Sequence, residues 1–545
     1  MVTNGTIGEQ RPVASRLGEI GLPRPVAELA REAWDAIVVG AGHNGLAAAA
    51  YLARAGNRVL VLERSERVGG ACTLERPFAD QGYAVSPCAY VVGLLDPLVI
   101  SELGLERRGV EIRIADPELF IPFEDGTAFV QWLDPERTAA GMRDAGFSER
   151  DIRGLADYNE RFDRIRRLLR KGERDAWVGD SPSRERIEAL LGGERELTDI
   201  VFEASIAEVL DDHIADQRIK DALCTQGLIA AHGGPRTPGT AAIHLMHHMG
   251  ELEGHGGSWG YVRGGMGTIS FALAEAAIDF GATIACGVPV GGIEPGAGVE
   301  LEDGTVLRTP VVLCNAGPKV ALDLLAGQEV PSGYEERLRE WKVRCPSFKV
   351  NAALSALPTW TAAGGDGVWP ALGTMDVGLG LDATQDAFES YEKGEFALAF
   401  AELYCQTAAD PTPAPDGKHM ISAFCQYAPY AAPNHDLDAL RAQAADAVFA
   451  LIGRFAPGFE ALVEHHEVLL PADIEARIGL TGGQIFQGEC FPDQMWDRRL
   501  AARTPLDGLY LCGAATHPGG SVIGLNGRNA AMAAMGDRAL AGAPA

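Results

Sequence analysis

One turn in this sequence settles more of its architecture than any other feature. Residues 35–40, DAIVVG, form an almost wholly apolar run, as a parallel strand buried on both faces requires. GLAAAAYLARAG follows with helical composition and stops at Gly56, a helix-ending residue, and NRVLVLER then reads as a second buried strand. Between the first strand and the helix stands Gly40-Ala41-Gly42-His43-Asn44-Gly45, a G-x-G-x-x-G turn. In that setting Gly40 permits the tight turn and Gly42 lets the backbone approach a pyrophosphate. Gly45 allows the helix to pack close to the strand, and the helix N-terminus faces the phosphate charge. Glu63 closes the second strand eighteen residues beyond Gly45, placed to accept hydrogen bonds from a ribose. The unit predicts a dinucleotide site, since a merely structural glycine turn would leave Glu63 unexplained.

Buried, parallel-type strands recur near residues 283–314 and 508–512, far from the first pair. With 545 residues there is room for two or three domains, and one sheet gathered from separated segments uses all these strands. The expected fold is therefore α/β: a discontinuous Rossmann-like nucleotide-binding domain built from residues 35–104, 256–325 and 500–545. Residues 105–255, rich in amphipathic helix, and 326–499, mixing strands such as FALAFAELYC and HMISAFCQYA with the helix DLDALRAQAADAVFALIGRF, form a mixed α+β substrate domain. Residues 1–34 read as an arm with one or two helical turns in PVAELAREAW.

The net charge of −28 argues against a nucleic-acid partner and against adsorption to an anionic membrane through charge alone. The ten cysteines are scattered singly with no C-x-x-C pair, which suits free thiols in a reducing cytoplasm. No secretory pattern opens the chain, and AYVVGLLDPLVI is short and broken by Asp96 and Pro97, so no membrane span is expected. The expectation is a cytoplasmic protein, soluble or peripherally membrane-associated.

The glycine turn alone does not separate FAD from NAD. Arg67-Val68-Gly69-Gly70, directly after Glu63, does: residues 35–73 are similar to the FAD-binding start of the amine-oxidase and phytoene-desaturase superfamily, and residues 509–531 resemble its closing flavin motif. GAGHNGLAAAAYLARAG, GGSWGYVRGGMG, GGQIFQGECFPDQMW and LYLCGAATHPGGSVIGLNGRNAA look like the phytoene-desaturase-related branch that includes the pyridine nucleotide-disulphide oxidoreductase domain-containing proteins. The resemblance implies a glutathione-reductase-type FAD domain and non-covalent FAD, its pyrophosphate on Gly40, Gly42 and Gly45, and its adenosine ribose on Glu63, flanked by Arg64. It further implies close passage of Gly69 and Gly70, adenine against Val290, a second phosphate contact at Gly513 and Ala514, and the turn Val522-Ile523-Gly524 against the isoalloxazine. Two departures stand out: Ser521 replaces a glycine of the branch, and Arg498-Arg499-Leu500 replaces an Arg-Pro.

The chemistry implied is removal of hydride from a largely apolar substrate, isoprenoid, polyene or lipid-like, with a new double bond left behind. An FAD-requiring isomerase or saturase is the alternative, and a carrier of prenylated or lipid ligands the alternative from another class. A disulphide reductase is excluded by the missing C-x-x-x-x-C pair. For acid–base help the candidates are His247 and His248, which share a helical face with His244, and Tyr261; Trp259 is a candidate pocket wall. A metal reading of these histidines lacks carboxylate companions, so no metal is expected. A tether at Cys490 does not match the known tethering motif, and His517 reads as structural. The electron acceptor, oxygen or a quinone, is left open, as are transient membrane contact and homodimerisation.

Overall fold

The computed structural model describes residues 17–78, 82–430 and 436–537. Its first sheet has five parallel strands in the order Leu509–Leu511, Val312–Cys314, Ala36–Val39, Val59–Glu63, Thr283–Cys286. The three separated segments thus meet in one sheet, as the apolar runs predict. Alternation along each strand sorts the side chains. Ala36, Val38, Val59, Val61 and Leu313 face a helical layer, and Ile37, Val39, Leu60, Leu62 and Val312 face the antiparallel meander Val290–Glu294, Gly298–Leu301, Val306–Arg308. The helical layer contains His43–Arg54, Gly267–Asp279 and Leu525–Asp537. Their facing positions are largely alanine and glycine, which lets the backbones approach; a Cβ on Gly527 would run into the Asn44 carbonyl oxygen.

Residues 17–34 are no free arm. Leu17, Ile20, Leu29 and Trp34 are buried, and the carbonyls of Gly18 and Gly21 accept from Val68 and Cys286 at 3.0 and 2.9 Å. The helical part of PVAELAREAW is the single turn Val26–Leu29. The remainder of the expected arm, residues 1–16, and the chain end 538–545 lie outside the described residues.

A second sheet of seven strands runs in the order Val463–Leu469, Ser347–Leu354, His419–Gln426, Phe400–Tyr404, Thr374–Gly378, Leu119–Pro122, Ala128–Gln131. One face is wholly apolar: Phe348, Val350, Ala401, Leu403, Ile421, Ala423 and Met375 pack on the helix Leu437–Phe455. The other face is buried and polar. Register places Lys349, Phe424, Glu402 and Asp376 in one row across four strands, and Asn351, Ser422, Tyr404 and Thr374 in the next. From the 105–255 segment, the helix Gln217–Leu223 and the turn Cys224–Gly227 pack against this sheet, with Thr225 and Gln226 bonded to Asp376 and Glu402. Glu149–Leu169 is capped by Ser148, whose hydroxyl accepts from the Asp151 amide at 3.2 Å. The stretch LTDIVFEASIAEVLDDHI is two helices, Arg195–Phe202 and Ile206–His213, because Ser205 and Glu208 form a capping box that starts the second.

Among the described residues no helix is long and apolar enough to cross a membrane. All ten cysteines are buried free thiols.

Candidate active site

A cavity of about 1350 Å³ runs from the glycine turn to the polar face of the seven-stranded sheet. That exceeds the roughly 300–1,000 Å³ of an ordinary small-ligand pocket, so there is space for a large cofactor and a second molecule.

At the nucleotide end the wall includes Gly40, Gly42, Glu63, Arg64, Gly69, Gly70 and Val290. The helix His43–Arg54 starts at Gly42 with no side-chain cap, which leaves its first amides free for an anion. Glu63 braces the turn: its carboxylate accepts from the Ala41 amide at 2.7 Å and the Ser65 amide at 2.9 Å. Gly69, with φ of 116°, donates its amide to the Ala41 carbonyl at 2.8 Å, so the paired glycines are stitched to the turn. Gly45 lies off the cavity wall and its place is steric, since a Cβ there would strike the Gly40 carbonyl oxygen.

At the opposite edge Ala514 and Val522 line the cavity, whereas Gly513, Ile523 and Gly524 shape it from behind. A Cβ on Gly513 would sit 2.7 Å from the Asn315 carbonyl oxygen, and the Ile523 carbonyl accepts from the Asp96 amide at 3.1 Å. Asn526, in the first turn of Leu525–Asp537, donates to the Thr516 and Gly519 carbonyls at 2.9 and 3.0 Å and fixes this loop. An uncapped helix start, a cradle that side chains would fill, and a braced acidic residue together fit the pyrophosphate and ribose of FAD.

The two sequence departures have physical roles here. Ser521 adopts a φ of 95°, a backbone state that favours glycine. Its carbonyl meets His43 Nε2 at 3.1 Å, and burial lowers the His43 pKa to about 4, so the ring is neutral beside the helix start. Arg499 is buried and donates to the Glu489, Phe486 and Ala514 carbonyls at 2.9, 2.9 and 2.7 Å, tying Ala514 to the preceding loop.

Of the catalytic candidates, His247 and His248 line the cavity with His244 and Trp259. His247 Nδ1 meets the Ile243 carbonyl at 2.8 Å, so that nitrogen carries the proton and Nε2 is left as an acceptor. Its ring lies 5.9 Å from Trp259 and 5.5 Å from Phe486. Burial lowers both His247 and His248 to about 4, and His244 well below its ordinary value. These rings are neutral at pH 7. Tyr261 departs from the expectation: it lies off the cavity wall, and its hydroxyl donates to the Gly373 carbonyl at 2.9 Å. Cys490 and His517 are also away from the wall; His517 Nε2 meets the Ala176 carbonyl at 2.8 Å. Among the described residues no group of three or more His, Cys, Asp or Glu is placed to hold a metal ion.

The residues that sequence reasoning missed come from the cavity floor. Glu402, Tyr404, Gln226, Thr374 and Tyr90 line it. Glu402 accepts from Gln226 Nε2 at 3.0 Å and from the Tyr404 hydroxyl at 2.8 Å. Behind it Asp376 accepts from the Thr225 hydroxyl at 2.6 Å, while its other oxygen has no partner among the described residues. Burial pushes both carboxyls well above the usual range, and the charge of Asp376 raises Glu402 further. Lys349 Nζ lies 3.4 Å from the Tyr90 ring centre with no hydrogen-bond partner among the described residues, and burial lowers it to about 7. The signal was available in ALAFAELYC, TMDVG and SFKVNAAL: each carries one acidic or basic residue inside a strand that is otherwise largely apolar.

The sequence model of the family described as flavin containing amine oxidoreductase matches residues 45–535. Pyridine nucleotide-disulfide oxidoreductase domain-containing protein 2 of Mus musculus is 34% identical over 539 residues, covering 91% of this chain and 92% of that one. Phytoene desaturase (lycopene-forming) of Pantoea ananas is 24% identical, covering 91% and 98%. Among solved structures, cyclohexylamine oxidase from Brevibacterium oxydans IH-35A superposes with a TM-score of 0.58 at 18% identity over 92% of this chain and 98% of that one, a likeness of fold.

Proposed function

This chain belongs to the family of flavin containing amine oxidoreductases and is an FAD-dependent oxidoreductase, and we propose that it takes hydride from a carbon of a substrate with an apolar body, leaving a new double bond. One observation carries the reading. Beside Val522 the cavity is lined by Leu119, Leu223, Ile229, Trp259 and Phe486, with the uncharged rings of His244, His247 and His248 among them. Pro135, Ala156 and Glu160, all exposed, are also among its lining residues.

Bound flavin supplies the hydride acceptor. The chain's own residues hold and orient: Gly40, Gly42, Glu63, Gly69 and Gly70 hold the nucleotide, and Trp259 and Phe486 exclude water from the reacting carbon. The FAD is held without a covalent bond; the cysteine considered as a tether, Cys490, points to Arg499 and lies off the cavity wall. The activity named for the Pantoea relative, a desaturase, supports the same chemistry.

The test is anaerobic mixing of the FAD-loaded protein with polyenes, fatty acyl compounds and primary amines while the flavin absorbance is followed. Bleaching by a polyene or fatty acyl compound is expected. Bleaching by amines alone would overturn the proposal.

A further inference from the structure

The floor of the cavity carries groups that folding alone does not call for. The opposite face of the same sheet, equally buried, is built from Val350, Ala401, Leu403, Ala423 and Met375. Asp376 and Glu402 are direct partners on neighbouring antiparallel strands, a pairing that sets their Cβ atoms about 4.5–5.5 Å apart. Both are nearly inaccessible, at 2% and 3% exposure. Neither forms a salt bridge among the described residues, and their partners are a threonine hydroxyl, a glutamine amide and a tyrosine hydroxyl. Two unpaired like charges at this distance in a desolvated site cannot both persist, so the pair holds at least one proton. One member, Glu402, faces the cavity beside Gln226, Thr374, Tyr404 and Tyr90; the other stands behind it with one oxygen unpartnered among the described residues.

We infer that Asp376 and Glu402 form a proton-sharing carboxyl dyad that serves the substrate cavity, with Glu402 the catalytic acid–base group and Asp376 its positioning residue. The inference rests on the dehydrogenase reading above and deepens it. As hydride leaves one substrate carbon for the flavin, a C–H bond on the neighbouring carbon breaks. Its electron pair becomes the new π bond, and its proton passes to the carboxylate of Glu402 in the form of the pair whose single proton sits on Asp376. The Tyr404 hydroxyl and the Gln226 amide already donate to that carboxylate and fix its orientation.

The groups around the dyad are known. The turn Cys224–Gly227 presents Cys224, Thr225 and Gln226; the strand His419–Gln426 presents Cys425; Tyr90 and Tyr404 stack with ring centres 4.4 Å apart; and Lys349 lies two strands from Glu402 on the same row. His247 and His248 compete poorly for that proton, because burial lowers both to about 4 and makes them weaker bases than a carboxyl that burial raises.

The test uses FAD-loaded wild type, Glu402→Gln and Asp376→Asn. Infrared titration of the wild type should reveal a protonated carboxyl band that persists at pH 7. Asp376→Asn should move the loss of that band to lower pH, because the neighbouring charge no longer raises Glu402 although burial still does, and Glu402→Gln should leave one carboxyl, Asp376, that titrates in a single step. Flavin absorbance and its reduction by dithionite should be unchanged in both. With a compound that bleaches wild-type flavin, Glu402→Gln should slow bleaching by about 10²–10⁴-fold. Asp376→Asn should bleach with its pH profile moved to lower pH. Wild type without the band, or an Asp376→Asn band that titrates at the same pH as the wild-type band, would overturn the dyad. Glu402→Gln bleaching at the wild-type rate would overturn its catalytic role. If no compound bleaches the wild type, the dehydrogenase reading fails by itself, and the infrared result still decides the dyad.

Discussion

Adding one methyl group at Gly513 should damage the cofactor site more than its size suggests. The new Cβ would lie 2.7 Å from the Asn315 carbonyl oxygen and 2.5 Å from Gln487 Oε1. The glutamine can turn away; the carbonyl cannot. Asn315 directly follows the strand Val312–Cys314, whose Cys314 carbonyl accepts from the Cys512 amide at 2.9 Å, so the two strand ends are locked side by side. Restoring ordinary contact means parting them by about half an ångström, an overpacking strain of roughly 1–3 kcal/mol. Because Ala514 is on the cavity wall, most of this strain should appear in FAD binding, as about a 5- to 150-fold weaker dissociation constant for Gly513→Ala. The contrast is Gly453→Ala in the helix Leu437–Phe455, where a Cβ meets nothing within 4 Å. There the same methyl should raise stability by about 0.5–1 kcal/mol and leave FAD binding alone. Fluorescence titration of apo-protein with FAD, beside urea unfolding, reads both. Gly513→Ala binding FAD within twofold of wild type would refute the reasoning.

Ser521→Gly should raise stability by up to about 1 kcal/mol, because Ser521 holds a φ of 95° that glycine adopts freely; unfolding midpoints of the two proteins compare them. Arg499→Met should cost about 3 kcal/mol and weaken FAD binding, from lost charge-assisted bonds of roughly 1.5–3 kcal/mol each less the desolvation that the buried cation no longer suffers; urea unfolding with and without FAD measures it. His517 is held near 4 by burial against an ordinary 6.5, so the unfolded chain takes up its proton first. Its contribution is complete above about pH 6.5 and is lost as pH falls toward 4. His517→Gln, whose amide can still donate to the Ala176 carbonyl, should therefore show a stability–pH slope shallower by up to one proton in that window. Parallel slopes would contradict the assigned state of His517.

The cofactor half of the site was legible because its signals are local. Gly40, Gly42, Glu63, Gly69 and Gly70 fall within two strands, one helix and one loop, and each has a steric or hydrogen-bonding reason visible in the spacing. Gly45, Gly513, Ile523 and Gly524 were expected as cofactor contacts, yet they lie one layer behind the cavity wall. Tyr261 was misjudged because a glycine-rich loop says where the backbone can go and nothing of where the ring turns; the ring packs with Phe400, Phe424 and Tyr427. The floor was missed for a different reason. Glu402 and Asp376 lie twenty-six residues apart in sequence and meet only through antiparallel register, which no single-strand pattern specifies. What each strand did disclose was an ionisable residue at a buried alternating position. The docking of residues 17–34 was equally hidden, since Leu17, Ile20 and Trp34 are too sparse for a periodic signal.

The measurement that bears most directly on the central claim is the visible spectrum of the purified protein, taken before and after acid precipitation. The account predicts a flavin spectrum on the native protein and its full release into the supernatant, identified as FAD by mass. Protein that is colourless and takes up no FAD on reconstitution would contradict the claim that the glycine cradle is a working flavin site, and colour that stays with the precipitate would contradict non-covalent binding.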